Sequence, residues 1–136
     1  MKTKTVKELV DLVETGYNNI AHHFDLTRKK RGWPKVEEFC LQVKNNSSVL
    51  DLACGNGRLL EFLGDKKVNY LGIDISKELV KIARNNYSEF DFKVGDVLNL
   101  NEILQRNQRF DYIFFLAALQ HIPSKKQRLK VLRDIK

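Results

Sequence analysis

Two kinds of apolar pattern alternate along this 136-residue chain. Over residues 5–15, Val6, Leu9, Val10 and Val13 recur at helical spacing, and Gly16 predicts a break. A second short helix is predicted over 17–24, with Ile20, Ala21 and Phe24 on one face. Pro34 suits the first turn of a helix over 35–44, where its missing N–H costs nothing. Val36, Phe39, Cys40 and Val43 make the inward stripe of that helix. From residue 49 strands enter the pattern. Residues 49–52 read as a short buried strand, 69–74 as a second, and 90–96 alternate at period two as a third. Residues 110–116 form a fourth, so uniformly apolar that it suits a parallel strand buried on both faces. Helices are predicted between them: from Arg58 to about Gly64, from a Ser76 cap to about Asn86, and briefly over 98–105. A last helix over 125–136 has Leu129, Leu132 and Ile135 in step.

Strands alternating with helices predict a doubly wound α/β parallel sheet over residues 48–136, preceded by a helical region, residues 1–47. Right-handed crossovers put the first strand in the middle and open a crevice at the strand carboxyl ends. The polar residues gather there. Asp51 and the loop Ala53-Cys-Gly-Asn-Gly57 follow strand one, Asp74 ends strand two, and Asp96 ends strand three. Residues 116–121, ending in His121, follow strand four.

Strand, glycine loop and helix make a nucleotide-binding βα layout, in which a ligand approaches the backbone closely. Asp74, 23 residues after Asp51, is placed to accept from a ribose diol. Asp96 is placed to accept from an adenine amino group, with the Val97 N–H beside it. Each carboxylate alone also reads as a helix cap or a solvated turn. At successive strand ends they point together to a nucleoside-containing ligand. The loop lacks the Gly-Lys-Ser/Thr of a phosphate-binding loop. It also lacks a third small residue, since Arg58-Leu-Leu60 follows Gly57, which disfavours a nicotinamide-dependent oxidoreductase.

Charge adds one feature. The net +7 divides into +3 over residues 1–47, −1 over 48–122 and +5 over 123–136. Basic ends around a near-neutral centre suit a polyanion such as RNA, and equally describe lysine-rich solvated helix faces. No apolar run reaches the ~18 residues of a membrane span, and residues 1–6 lack the apolar stretch of a signal peptide. Cys40 and Cys54 stand apart from any metal-ligand spacing, so free thiols and a cytoplasmic location are expected.

Asp51-Leu-Ala-Cys-Gly-Asn-Gly57 resembles the D-L-G-C-G-x-G signature of class I S-adenosylmethionine-dependent methyltransferases. Leu71-Gly-Ile-Asp-Ile-Ser76, Val94-Gly-Asp-Val97 and Phe110-Asp-Tyr-Ile113 resemble the next three motifs, in order. The resemblance implies a Rossmann-like sheet of order 3-2-1-4 and S-adenosylmethionine as cofactor. It implies that Asp51, Ala53, Gly55 and Gly57 border the methionine part and that Asp74 holds the ribose. Ile75 would flank adenine, Asp96 and Val97 would read its edge, and Leu116 would lie near the transferred methyl. Ala53 replaces the commonest first glycine. Residues 17–28, with Trp33-Pro34, are similar to the N-terminal region of tRNA wobble-uridine carboxymethyl methyltransferases. Residues 116–122 are similar to the segment after strand four of those enzymes, with Gln120 where the first of two histidines usually stands. A tRNA acceptor is the implied partner. A small-molecule methyltransferase and a non-catalytic nucleotide-binding module are the other readings.

The donor methyl in such chemistry is already activated, so the protein chiefly aligns the reactants. A carboxylate acceptor is ionised at neutral pH and needs no general base, whereas an amine or hydroxyl acceptor makes His121 the candidate base. The alternative for His121 is a loop residue bonded to backbone. Arg28 is the candidate partner for an acceptor carboxylate or phosphate, or else one charge in a solvated basic loop. His22 and His23 are expected on an exposed helix face with one ring packed, and Trp33 as a core anchor. The resembled fold continues with three more strands, so a truncated chain is expected, with strand four a bare apolar edge prone to self-association.

Overall fold

A computed structural model describes residues 4–28 and 32–136, apart from the Arg28 side chain. Four parallel strands form one sheet: β1 (Ser47–Leu52), β2 (Val68–Asp74), β3 (Asp91–Val94) and β4 (Tyr112–Phe115). Their order is β3-β2-β1-β4, with Leu50 of β1 registered against Leu71 of β2 and Ile113 of β4. The Rossmann-like order expected from the resemblance is therefore present.

Period two divides the strand side chains between two faces. Val49, Tyr70, Phe92 and Phe114 point to one, where they pack with α2 (Pro34–Leu41), α3 (Leu59–Leu63) and α4 (Lys77–Asn86) through Cys40, Leu60 and Val80. Leu50, Leu52, Leu71 and Ile73 point to the other, against α5 (Leu100–Ile103) and Ile135 beyond the last helix, α6 (Lys125–Asp134). Ser76 caps α4 by accepting from the Leu79 N–H at 3.2 Å.

The N-terminal helix differs from expectation. Gly16 does not break it, and α1 is one 23-residue helix, Val6–Arg28. It lies across the carboxyl ends of the strands. Val6 and Val10 pack with Leu98 and Ile122, Asn18 bonds Ser76, and the Phe24 ring lies over Gly55. Three inward assignments also change. Phe39 is 56% exposed while its neighbour Cys40 is fully buried, and Leu129 and Leu132 face outward because Val131 is the residue α6 buries. In β4, Phe114 is buried on one face, while on the other Phe115 packs half-buried and Ile113 is exposed, so the second face is only partly covered. His22 and His23 are both exposed. No helix among the described residues is long and apolar enough to cross a membrane.

Candidate functional site

The loop after β1 is shaped by three left-handed residues: Ala53 (φ 56°), Gly55 (φ 56°) and Gly57 (φ 80°). At Gly57 a Cβ would lie 3.1–3.2 Å from the Tyr87 and Phe92 rings, so conformation and space both disfavour a side chain. Ala53 holds a similar φ at a cost of about 1–2 kcal/mol. Bonds from β2 hold the loop in place. The Cys54 N–H donates to the Ile73 carbonyl at 3.0 Å, and the Gly55 N–H donates to Asp74 Oδ2 at 2.8 Å. Asp74 Oδ1 accepts from the Ser76 N–H at 2.8 Å. One carboxylate thus joins the glycine loop to the start of α4.

The loop walls a cavity of about 600 Å³, within the usual size for a small-molecule site. Asp51, Ala53 and Gly55 line it from β1, and Asp74 and Ile75 from β2. Asp96 and Val97 line it beyond β3, and Leu116 and His121 beyond β4. Gly57 stands behind this wall, against Tyr87 and Phe92. The Arg28 side chain lies outside the described residues. Asp96 also does the local work of a cap, accepting from the Leu98 N–H at 2.9 Å.

Burial dominates the electrostatics. Asp51 is 3% exposed and accepts from the Tyr70 hydroxyl at 2.7 Å. Desolvation pushes its carboxyl up to about 7; the Tyr70 bond opposes this and the nearby Asp74 charge adds to it. Desolvation also raises Asp74, against the opposing N–H bonds from Ser76 and Gly55. Among the described residues, three carboxylates face the cavity with one guanidinium, that of Arg58. A pyrophosphate would meet a surplus of like charge there. A ligand with hydroxyls, an ammonium and a sulfonium would meet acceptors and opposite charge. Asn56 lines the same cavity, and its buried Oδ1 finds no donor among the described residues, which an ammonium would supply. The donor set therefore fits S-adenosylmethionine.

Several lining residues are given no cavity role by the sequence motifs. Tyr17 and Phe24 enter from α1, and Trp33 from the start of α2, where it also packs on the core. The Tyr17 hydroxyl lies 2.9 Å from His121 Nε2, so His121 bonds a side chain rather than backbone. Asn56 donates to Asp25 Oδ1 at 2.8 Å, and the Ser76 hydroxyl donates to Asn18 Oδ1 at 2.7 Å. These contacts join α1 to loops 31–104 residues away, and no local spacing rule reaches that far.

A family model described as a methyltransferase domain matches residues 43–135. The chain belongs to this methyltransferase domain family. It is 33% identical over 125 residues to a Saccharomyces cerevisiae tRNA (carboxymethyluridine(34)-5-O)-methyltransferase, covering 92% of this chain and 43% of that protein. A mouse protein named probable tRNA methyltransferase 9B is 34% identical over 123 residues, covering 90% of this chain and 26% of that one. This chain thus spans less than half the length of either relative. Among solved structures, an S-adenosylmethionine-dependent methyltransferase from Clostridium acetobutylicum superposes with a TM-score of 0.65 at 28% identity. That superposition covers 88% of this chain and 51% of the other.

Proposed function

We propose that this methyltransferase domain binds S-adenosylmethionine and transfers its methyl group to a carboxymethyl group on a tRNA uridine. The observation that carries the reading is the convergence of three strand-end carboxylates and a left-handed glycine loop on one cavity. The names of the yeast and mouse relatives support the tRNA acceptor.

In this reading Asp74 holds the ribose, Ile75 flanks adenine, and Asp96 and Val97 meet its edge. Asp51, Ala53 and Gly55 border the methionine end, with Gly57 shaping the loop from behind. Leu116 lies beside the methyl. The cofactor supplies an activated methyl, and the cavity walls align it with the acceptor while excluding water. A carboxylate acceptor arrives ionised, so its attack requires no proton transfer. Residues 1–47 act as a helical cap over the cofactor domain of residues 48–136. Arg28 is assigned to an anionic group of the acceptor. The basic charge of residues 123–136, six cations against one carboxylate, suits the phosphates of an RNA.

Titration calorimetry with S-adenosylmethionine, S-adenosylhomocysteine and NAD tests the cofactor. Binding of the first two and not the third is expected; binding of NAD alone, or of none, sinks the reading. Methylation of tRNA containing carboxymethyluridine, compared with a pool of small carboxylates, tests the acceptor. Label appearing only in the small-molecule pool would overturn the RNA assignment and leave the cofactor assignment standing.

A further inference from the structure

The bond between Tyr17 and His121 joins α1 to the short helical turn Leu119–His121, 104 residues on. The two rings also meet edge-on, with centroids 5.6 Å apart and planes at 88°. The Tyr17 ring also meets Phe24 edge-on at 5.9 Å. Tyr17 is therefore held by two ring contacts, with its hydroxyl directed at one imidazole nitrogen. Both residues line the cavity, together with Leu116 and Ala117 from the β4 end.

The chemistry of the pair chooses the direction of the bond. A phenol is a more acidic donor than a neutral imidazole N–H, and an imidazole nitrogen is a better acceptor than a phenolic oxygen. O–H···N is the favoured arrangement.

We propose that Tyr17 is a positioning residue for the acceptor side of the cavity. Donating to Nε2, it holds His121 as the Nδ1–H tautomer and takes Nε2 out of use as a base. This replaces the sequence expectation of His121 as a general base with a fixed wall residue. Its catalytic consequence rests on the methyl-transfer reading; the tautomer itself does not. With Nε2 engaged, an acceptor that had to lose a proton would find no free base at that atom.

Nitrogen NMR of the imidazole rings in mildly alkaline buffer reads the tautomer directly, with exposed His22 and His23 as internal references. His121 is expected as Nδ1–H. Tyr17→Phe, which keeps both ring contacts and removes only the hydroxyl, should return it to the mixed population of the two references. An Nε2–H ring in the wild type, or an unchanged ring in the variant, overturns the proposal. In methyl transfer, Tyr17→Phe should lower kcat by about tenfold while changing S-adenosylmethionine affinity by less than about twofold. It should add nothing in a His121→Ala background. Affinity lost in step with kcat, or additive losses in the double variant, also overturns it. Absent cofactor binding beside an Nδ1–H ring would sink the methyl-transfer reading and leave the Tyr17–His121 assignment supported.

Discussion

Asp74 shows how a binding residue and a structural one coincide at this site. Its two oxygens accept from the Gly55 and Ser76 N–H groups, each at 2.8 Å, and each oxygen keeps a lone pair for a further donor. Bracing the loop and contacting a ribose are therefore compatible. Asp74→Ala would leave two backbone N–H groups without partners, at about 1–3 kcal/mol each where they stay buried. Urea unfolding of the ligand-free variant should show that loss, and an unchanged midpoint would mean that the loop does not need the carboxylate. Weaker cofactor binding by the same variant must be read beside that midpoint. The end-of-strand carboxylates could be seen in the sequence because strand endings and acidic residues are local features. Their N–H partners could not, because Gly55 is 19 residues from Asp74 and meets it only through the β1–β2 register.

The helices and strands differ in how much of them local pattern decides. Each strand is a short apolar or alternating run bounded by turn residues, and all four fall within their expected stretches or within two residues of them. A helix also needs a rotation, which its neighbours set. In α6, Val131 packs with Leu98 and Ile122, which turns Leu129 and Leu132 outward despite their helical spacing. The continuity of α1 has the same cause. Glycine costs a helix interior about 1 kcal/mol relative to alanine. The contacts of Val6, Val10, Asn18 and Phe24 on both sides of Gly16 outweigh that. A Cβ at Gly16 would meet nothing within 4 Å. Gly16→Ala should therefore stabilise the chain by about 0.5–1 kcal/mol, seen as a raised thermal midpoint by circular dichroism. A lowered midpoint would show that the helix uses the glycine.

At the scale of the whole molecule, the buried Asp51 couples folding to pH. Its carboxyl sits at about 7 in the fold, against an ordinary 3.8, because burial disfavours the charge. Between those values the folded chain keeps a proton that the unfolded chain has lost. Its contribution to stability is full below about pH 4 and disappears as pH rises through about 7, with a slope of at most ~1.4 kcal/mol per pH unit. Asp74 is raised too and acts with the same sign. Glu8 and Asp111 are held low by bonds from Thr5 and Ser48, so they act with the opposite sign and only in more acid solution. Asp51→Asn keeps an acceptor for the Tyr70 hydroxyl and removes the titration. Urea unfolding at pH 5 and pH 7.5 should therefore show a flatter pH dependence in the variant than in the wild type. A cationic ligand reverses the trend, since it favours the ionised carboxylate. Its affinity should rise towards pH 7 while the ligand-free chain loses stability, and binding near neutral pH should release protons, measurable by calorimetry in buffers of different ionisation enthalpy. If the variant keeps the full slope and the same proton release, the titrating group is not Asp51, and the charge under the glycine loop lies elsewhere.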